Sequence, residues 1–259
     1  MALLDLSLRD GVASLTLDRP QARNALSVDV CSAIVSALDD VDARDDVRVV
    51  LVRGAGPAFC AGADFAAVSG PEAAGFLTVF EDMLDALARH RLPTIAAIHG
   101  AAMGGGLQLA GVCDFRIAAS NAKLGIPSSR LGIVVNYENV QRLVHLVGVT
   151  TAKEVLMTAR TFSGAEAAAA GLVDRCVPPE SLDEEVDALA SRLASLAPLA
   201  VQGAKRAIQV VLDAMSPERA EAGRVWEIDA LVAQAYASRD LAEGLAAMRE
   251  KRPPRFEGR

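Results

Sequence analysis

The stretch PTIAAIHGAAMGGGLQLAGVCDFRIA, Pro93 to Ala118, carries the pattern that decides the fold. After Pro93, Thr94 to His99 is a short apolar run that reads as a buried strand. The run breaks at Gly100 and again at the triple glycine Gly104-Gly105-Gly106, then resumes as the helical LQLAGV. Asp114 to Ala118 reads as a further strand. Strands separated by helices predict an α/β fold: a parallel sheet with right-handed crossovers.

Upstream, Leu3 to Arg9 and Val12 to Leu17 alternate around Asp10-Gly11, a strong hairpin signal. Ser27 reads as the N-cap of a helix through about Asp40, with Val30, Ile34, Val35 and Leu38 at helical spacing. Val47 to Val52 is a β-branched run, hence a buried strand. Gly54-Ala-Gly-Pro57 ends it, and a glycine-containing loop follows, FCAGAD from Phe59 to Asp64. A helix is predicted over about Glu72 to Arg89. From about Tyr137 the pattern is mostly helical, with breaks at Gly148, Gly171, Pro178-Pro179, Pro198 and Pro217. Asp240 reads as the cap of a last helix ending before Pro253-Pro254. The change from α/β core to helical region falls near Pro198, which divides the chain into residues 1–197 and 198–259.

The 259 residues are 52% hydrophobic and 23% charged, within the range of soluble globular domains. The net charge of −7 and the lack of a basic stripe exclude a duplex-binding surface; the most basic stretch is the short Arg249 to Arg259. Cys31, Cys60, Cys113 and Cys176 are widely spaced with no CxxC pair, as expected of reduced thiols in the cytoplasm. Neither a signal peptide nor a membrane span is expected, since no window of about 18 residues is free of polar groups. His90, His99 and His145 lack ligand spacing, so no metal site is expected.

Both glycine loops follow strands, and the second opens a helix. Glycine lets backbone approach a ligand, and a helix start carries unpaired N–H groups. Such a pair suits an oxygen that gains negative charge, and packing or phosphate binding are alternative uses of the same geometry. The cluster lacks the Lys and Ser/Thr of a phosphate loop, which argues against nucleotide hydrolysis.

Six ordered segments resemble the crotonase superfamily, the enoyl-CoA hydratase/isomerase family. They are LDRPQARNAL (Leu17 to Leu26), VVLVRGAGPAFCAGAD (Val49 to Asp64), Pro93 to Ala118, LGIPSSRLGI (Leu124 to Ile133), QRLVHLVG (Gln141 to Gly148) and APLAVQGAKRAI (Ala197 to Ile208). The resemblance implies a ββα spiral core with a C-terminal helical trimerisation region, assembled as a homotrimer or a dimer of trimers. It implies an acyl-CoA or enoyl-CoA ligand of fatty-acid metabolism. Coenzyme A is then part of the substrate, and no separate cofactor is expected. By the same resemblance the oxyanion donors are the N–H groups of Ala63 and Gly105. Coenzyme A lies against Gln21, Ala22, Arg23, Ala61, Asp64 and Phe65, with Met248 and Lys251 near the C-terminus. The lysine that the family often carries two residues after the Asp is here Ala66.

The chain departs from the family at the chemistry. Hydratases of the family use two glutamates on a water; the matching positions hold Gln108 and Ser128, neither a carboxylate base. Gln108 and Ser128 can still hold a water or an acyl group by hydrogen bonds, and polar lining is the alternative. Glu138, in NYEN (Asn136 to Asn139), is the candidate replacement acid, or else a surface residue favoured by its place in the first turn of a helix. Asp114 reads as structural. Three readings remain open: a hydratase/isomerase-like enzyme using Glu138 for isomerisation; a non-catalytic acyl-CoA binder; and other thioester chemistry with Cys60 as the one candidate nucleophile.

Overall fold

In the computed structural model, which describes residues 3–64, 73–130, 133–215, 238–250, 252 and 254–259, the hairpin forms as expected. Strands β1 (Leu4–Arg9) and β2 (Val12–Leu17) pair antiparallel, with Asp10 and Gly11 both at positive φ, 50° and 78°. Two central residues at positive φ match the twist of the flanking strands. Helix α1 (Val28–Asp42) is capped by Ser27, whose side chain accepts from Val30 N. Then come β3 (Val49–Gly54), α2 (Ala73–Arg89), β4 (Thr94–Ile98), β5 (Ala101–Met103), α3 (Gly105–Gly111) and β6 (Phe115–Ala119). The remainder is β7 (Lys123–Gly125), α4 (Tyr137–Thr158), β8 (Phe162–Ser163), α5 (Gly164–Ala169), β9 (Arg175–Val177), α6 (Leu182–Ala194), α7 (Pro198–Ala214) and α8 (Arg239–Glu250).

The main sheet runs β1-β2-β3-β4-β6-β9 and is parallel except at the hairpin. Its central strands are buried on both faces, and the alternation of side chains divides two cores. Val50, Val52, Ala96, Ile98 and Ala118 face the larger core with α1 and α2. Val49, Leu51, Ile95, Ala97, Ile117 and Ala119 face a second core, closed by Leu182, Val186, Leu189 and Ala190 of α6. This period-2 split explains why β3 and β4 read as unbroken apolar runs in sequence.

The chain after Tyr137 is mostly helical among the described residues, as expected, with two short strands in addition. β8 pairs antiparallel with β7 in a small sheet β5-β7-β8, and β9 adds the last strand beside β6. Two- and three-residue strands are too short to show alternation; only their pairing partners define them. The breaks at Gly148 and Gly171 are present, at φ 71° and 76°, and Pro198 opens α7. Pro217 lies outside the described residues. Asp240 does not cap α8 as expected. Its buried carboxylate accepts from Glu257 N (2.6 Å) and Gly258 N (2.8 Å), tying the C-terminal tail back onto the helix start.

Asp114 has the structural place expected of it. Its carboxylate accepts from Thr94 N (2.7 Å), Thr94 Oγ1 (2.9 Å) and Lys205 Nζ (2.7 Å), joining β4, the start of β6 and α7. Thr94 is fully buried, so Asp114→Ala strands a buried N–H. The variant is expected to lose about 1–3 kcal/mol or more of stability in urea unfolding.

Candidate functional site

The segment Arg19 to Leu26 folds into a tight 3-10 turn, Pro20–Ala22, followed by two left-handed residues, Arg23 (φ 49°) and Asn24 (φ 57°). Asn24 is the staple. Its buried side chain accepts from Arg19 N (2.9 Å) and donates to Ala55 O (2.9 Å) and Ala58 O (2.7 Å). This lays the turn against the first glycine loop. Ala61 N donates to Arg23 O (2.9 Å), Leu26 N to Gly62 O (2.8 Å) and Asp64 N to Leu26 O (2.7 Å). Arg23 and Leu26 therefore meet the Ala61 to Asp64 loop in space, although about forty residues separate the two segments, and Gln21 and Ala22 belong to the same turn as Arg23. Gln21 and Arg23 are exposed, while Asp64 turns its carboxylate to Arg19 at 3.2 Å. Phe65 and Lys251 lie outside the described residues, and Met248 is described only as part of the backbone of α8.

The other edge of the loop is paired too. Cys60 N donates to Ala101 O (2.9 Å) and Met103 N to Cys60 O (3.0 Å), so β5 continues directly from the loop into the start of α3. Two peptide planes are thereby oriented. A trans peptide holds its C=O and N–H on opposite sides. The Gly62 carbonyl is bound to Leu26 N, so the Ala63 N–H points away from Leu26. The Gly104 carbonyl accepts from Leu107 N and Gln108 N, both at 3.1 Å, so the Gly105 N–H points out of the helix start. Neither N–H has a protein acceptor among the described residues.

The two amides are close neighbours. A Cβ on Gly62 (φ 99°) would stand 3.2 Å from Gly105 N and 2.5 Å from Met103 O. A Cβ on Gly105 would stand 3.5 Å from Ala63 N and 3.2 Å from the Phe80 ring. Only glycine leaves this space open. Phe80, stacked on Phe76 at 5.6 Å between ring centroids, gives the space an aromatic wall.

The chain matches the family model described as enoyl-CoA hydratase/isomerase over residues 7–259. The chain belongs to the enoyl-CoA hydratase/isomerase family. It is 38% identical over 258 residues to the Bos taurus enoyl-CoA hydratase domain-containing protein 2, mitochondrial, covering 96% of this chain and 85% of the relative. Against the human methylglutaconyl-CoA hydratase, mitochondrial, identity is 35% over 261 residues, with coverage of 96% and 74%. The crystal structure of an enoyl-CoA hydratase/carnithine racemase from Magnetospirillum magneticum superposes with a TM-score of 0.91 at 34% identity, covering 100% of this chain and 97% of that one. The crotonase fold expected from sequence is thus the fold of this family member.

In this crotonase-fold chain Gln108 is half-buried on α3, one turn beyond Gly105. It lines a small cavity of ≈ 20 Å³ with Leu107, Ile126, Asn139, Arg142 and Leu143. Ser128 is buried in the 3-10 turn Ser128–Arg130. Glu138 is half-buried in the first turn of α4, where the Asn136 side chain caps Asn139 N at 3.2 Å.

A polar cluster next to this cavity escaped the sequence reading. Glu81 of α2 accepts from Asn139 Nδ2 and from Arg142 Nη1 (2.9 Å), and Arg142 Nη2 reaches Asp85 (2.6 Å). The four side chains bolt α2 onto α4. Their i, i+3 and i, i+4 spacings were visible, but an amphipathic pattern alone does not say which helix the polar edge faces. A larger cleft of ≈ 290 Å³ shares Gly111 and Arg142 with the small cavity. Its Arg89, Arg116, Arg142 and Lys205 are all matched by acids: Asp213, Asp174, Asp85 and Asp114.

No group of three or more His, Cys, Asp or Glu side chains that could hold a metal ion occurs among the described residues. Cys60 is fully buried, and burial pushes its thiol up to about 12 against the contact from Gly62 N that pulls it down. Burial likewise raises Cys31 and Cys113 to about 12. His90 is buried, accepts from Leu92 N at Nδ1, and is shifted down by burial against the pull of Asp42. His99 bonds to Gly56 O at 2.9 Å.

The raised thiols have a consequence for pH dependence. Folded-state values near 12 against an unfolded 9.0 favour the neutral thiol in the native state, so their contribution is complete below pH 9. As pH rises from 9 toward 12, each thiol costs roughly 1.4 kcal/mol per pH unit. Urea unfolding at stepped alkaline pH is expected to show this decline, with a shallower slope in Cys60→Ala.

Proposed function

We propose that the chain binds an acyl-CoA or enoyl-CoA thioester with the carbonyl oxygen between the N–H groups of Ala63 and Gly105. The observation that supports this reading is the proximity of two backbone N–H groups that have no protein acceptor among the described residues, beside a space that a Cβ at Gly62 would fill. One such donor contributes about 2.7–4 kcal/mol to a transition state in which charge builds on oxygen. The coenzyme A moiety lies along Gln21, Ala22, Arg23 and Ala61. The named activities of the relatives, enoyl-CoA and methylglutaconyl-CoA hydration, support a CoA thioester of fatty-acid metabolism or a related route as ligand.

Ordinary hydration is not the reading we favour. A water added across a double bond needs a base, and Gln108 and Ser128 have none to offer at neutral pH. The pocket polarises a thioester and holds it, and the chain serves as an acyl-CoA-binding member of the family with weak hydratase activity at most. Purified protein is expected to bind acyl-CoA and turn over crotonyl-CoA and longer enoyl-CoAs slowly. Gln108→Glu combined with Ser128→Glu is expected to raise hydration by about 10²–10⁴-fold, the usual contribution of acid–base groups. Rapid hydration by the unmodified chain contradicts this reading.

A second reading has a specific observation behind it. Glu138 is a half-buried carboxylate beside Asn139, and Asn139 lines the same small cavity as Gln108. In this reading Glu138 shuttles a proton between α- and γ-carbons of an enoyl thioester, an isomerisation that needs one base. If double-bond migration is detected by proton NMR, Glu138→Gln is expected to abolish it, and undiminished turnover removes Glu138 from the mechanism.

The assembly we propose is a homotrimer or a dimer of trimers built through the helical region after Pro198, where Ile208, Val211 and Met215 expose an apolar stripe on and just beyond α7. The four unpaired thiols support a reducing compartment, the cytoplasm. No helix among the described residues is long and apolar enough to cross a membrane.

A further inference from the structure

We propose that Arg19 is a positioning residue that sets the angle of the Ala63 N–H, by gripping the two residues that flank the Leu26–Ala63 bridge. The proposal rests on the reading of that N–H as a carbonyl-binding donor.

The bridge consists of two hydrogen bonds, Leu26 N to Gly62 O and Asp64 N to Leu26 O, between two segments that are not strands. These two bonds, with Ala61 N to Arg23 O just upstream, run along one edge of the two segments and restrain their separation more than a roll about that edge. A roll turns the Gly62–Ala63 peptide plane, and with it the N–H. Arg19 acts off that edge. Its Nη1 donates to Ala25 O at 2.8 Å and to Asp64 Oδ2 at 3.3 Å, and its Nη2 reaches Asp64 Oδ2 at 3.2 Å. Ala25 precedes Leu26, and Asp64 follows Ala63. One planar guanidinium thus spans both segments beside the bridge and opposes the roll.

Arg19 is itself anchored. Its backbone N–H donates to Asn24 Oδ1, and the buried Asn24 amide is tied to Ala55 O and Ala58 O. The grip is therefore referred to the body of the sheet through β3 and its loop. Both side chains are partly shielded, at 21% and 28% exposure for Arg19 and Asp64. A pair of that kind contributes little to global stability, so its consequence is local geometry. Arginine is the residue for this task because its donors fan out in one plane toward two acceptors; a lysine ammonium reaches them less well. The value of a donor to an oxyanion depends on its aim, which is what the grip controls.

The test uses an arylacryloyl-CoA, whose absorbance moves to the red when its thioester carbonyl is polarised, with the full-length protein. The wild type is expected to bind it with a red shift. Arg19→Met is expected to bind it with near-unchanged affinity, and both Arg19→Met and Asp64→Asn are expected to lose most of the red shift. Arg19→Lys recovers part of it. Asp64→Asn keeps the side-chain shape, and melting curves on the same samples show whether each variant is folded. A full red shift in both loss variants overturns the role of Arg19 and leaves the donor reading intact. A red shift lost in proportion to affinity also overturns it, because Arg19 is then a coenzyme A contact. Binding to the wild type with no red shift overturns the donor reading, and the positioning role falls with it.

Discussion

One planar peptide, Gly62–Ala63, is the constraint on which the site depends. Its carbonyl is claimed by Leu26, so its N–H has one direction left to point. The same loop is paired on its other edge with β5 through Cys60. Because β5 leads straight into Gly104 and Gly105, the second amide is placed from the same reference. Two donors from sequence positions forty residues apart are brought side by side by main-chain bonds.

That arrangement is stiff because of where it is built. The loop leaves β3 and the second amide follows β4 and β5, all anchored in a sheet packed on both faces. Asp114 ties β4 to β6 and α7, while Glu81, Asn139, Arg142 and Asp85 tie α2 to α4. The ring of Phe80 is carried by the same α2. The site is thus walled by helices whose polar edges are locked to one another, and its floor is backbone.

The environment also decides which chemistry is withheld. Cys60 lies at the centre of the glycine loop, the one candidate nucleophile by sequence, yet complete burial keeps its thiol neutral through the physiological range. Gln108 and Ser128, the positions that the resemblance matches to the family's hydratase glutamates, bring no carboxylate either.

The sequence by itself determined the family, the hairpin at Asp10-Gly11, the buried runs of β3 and β4, the Ser27 cap and the two glycine loops. Each of these is a local pattern, read within a window of a few residues. It also sets Gln108 and Ser128 at the positions where the resemblance implies glutamates, a reading that needs only a residue type at a known spacing. Only the tertiary structure decided the rest. β5, β7, β8 and β9 are too short to show a period and exist by virtue of their partners. Asp240 reads as a helix cap from its neighbours, but a tail seventeen residues later competes for its oxygens. Arg19, Asn24, Glu81 and Arg142 carry no local signal either, because what they bond lies across the fold. The direction of the Ala63 N–H belongs to the same class: a glycine loop permits many orientations, and the distant hydrogen bond from Leu26 selects one.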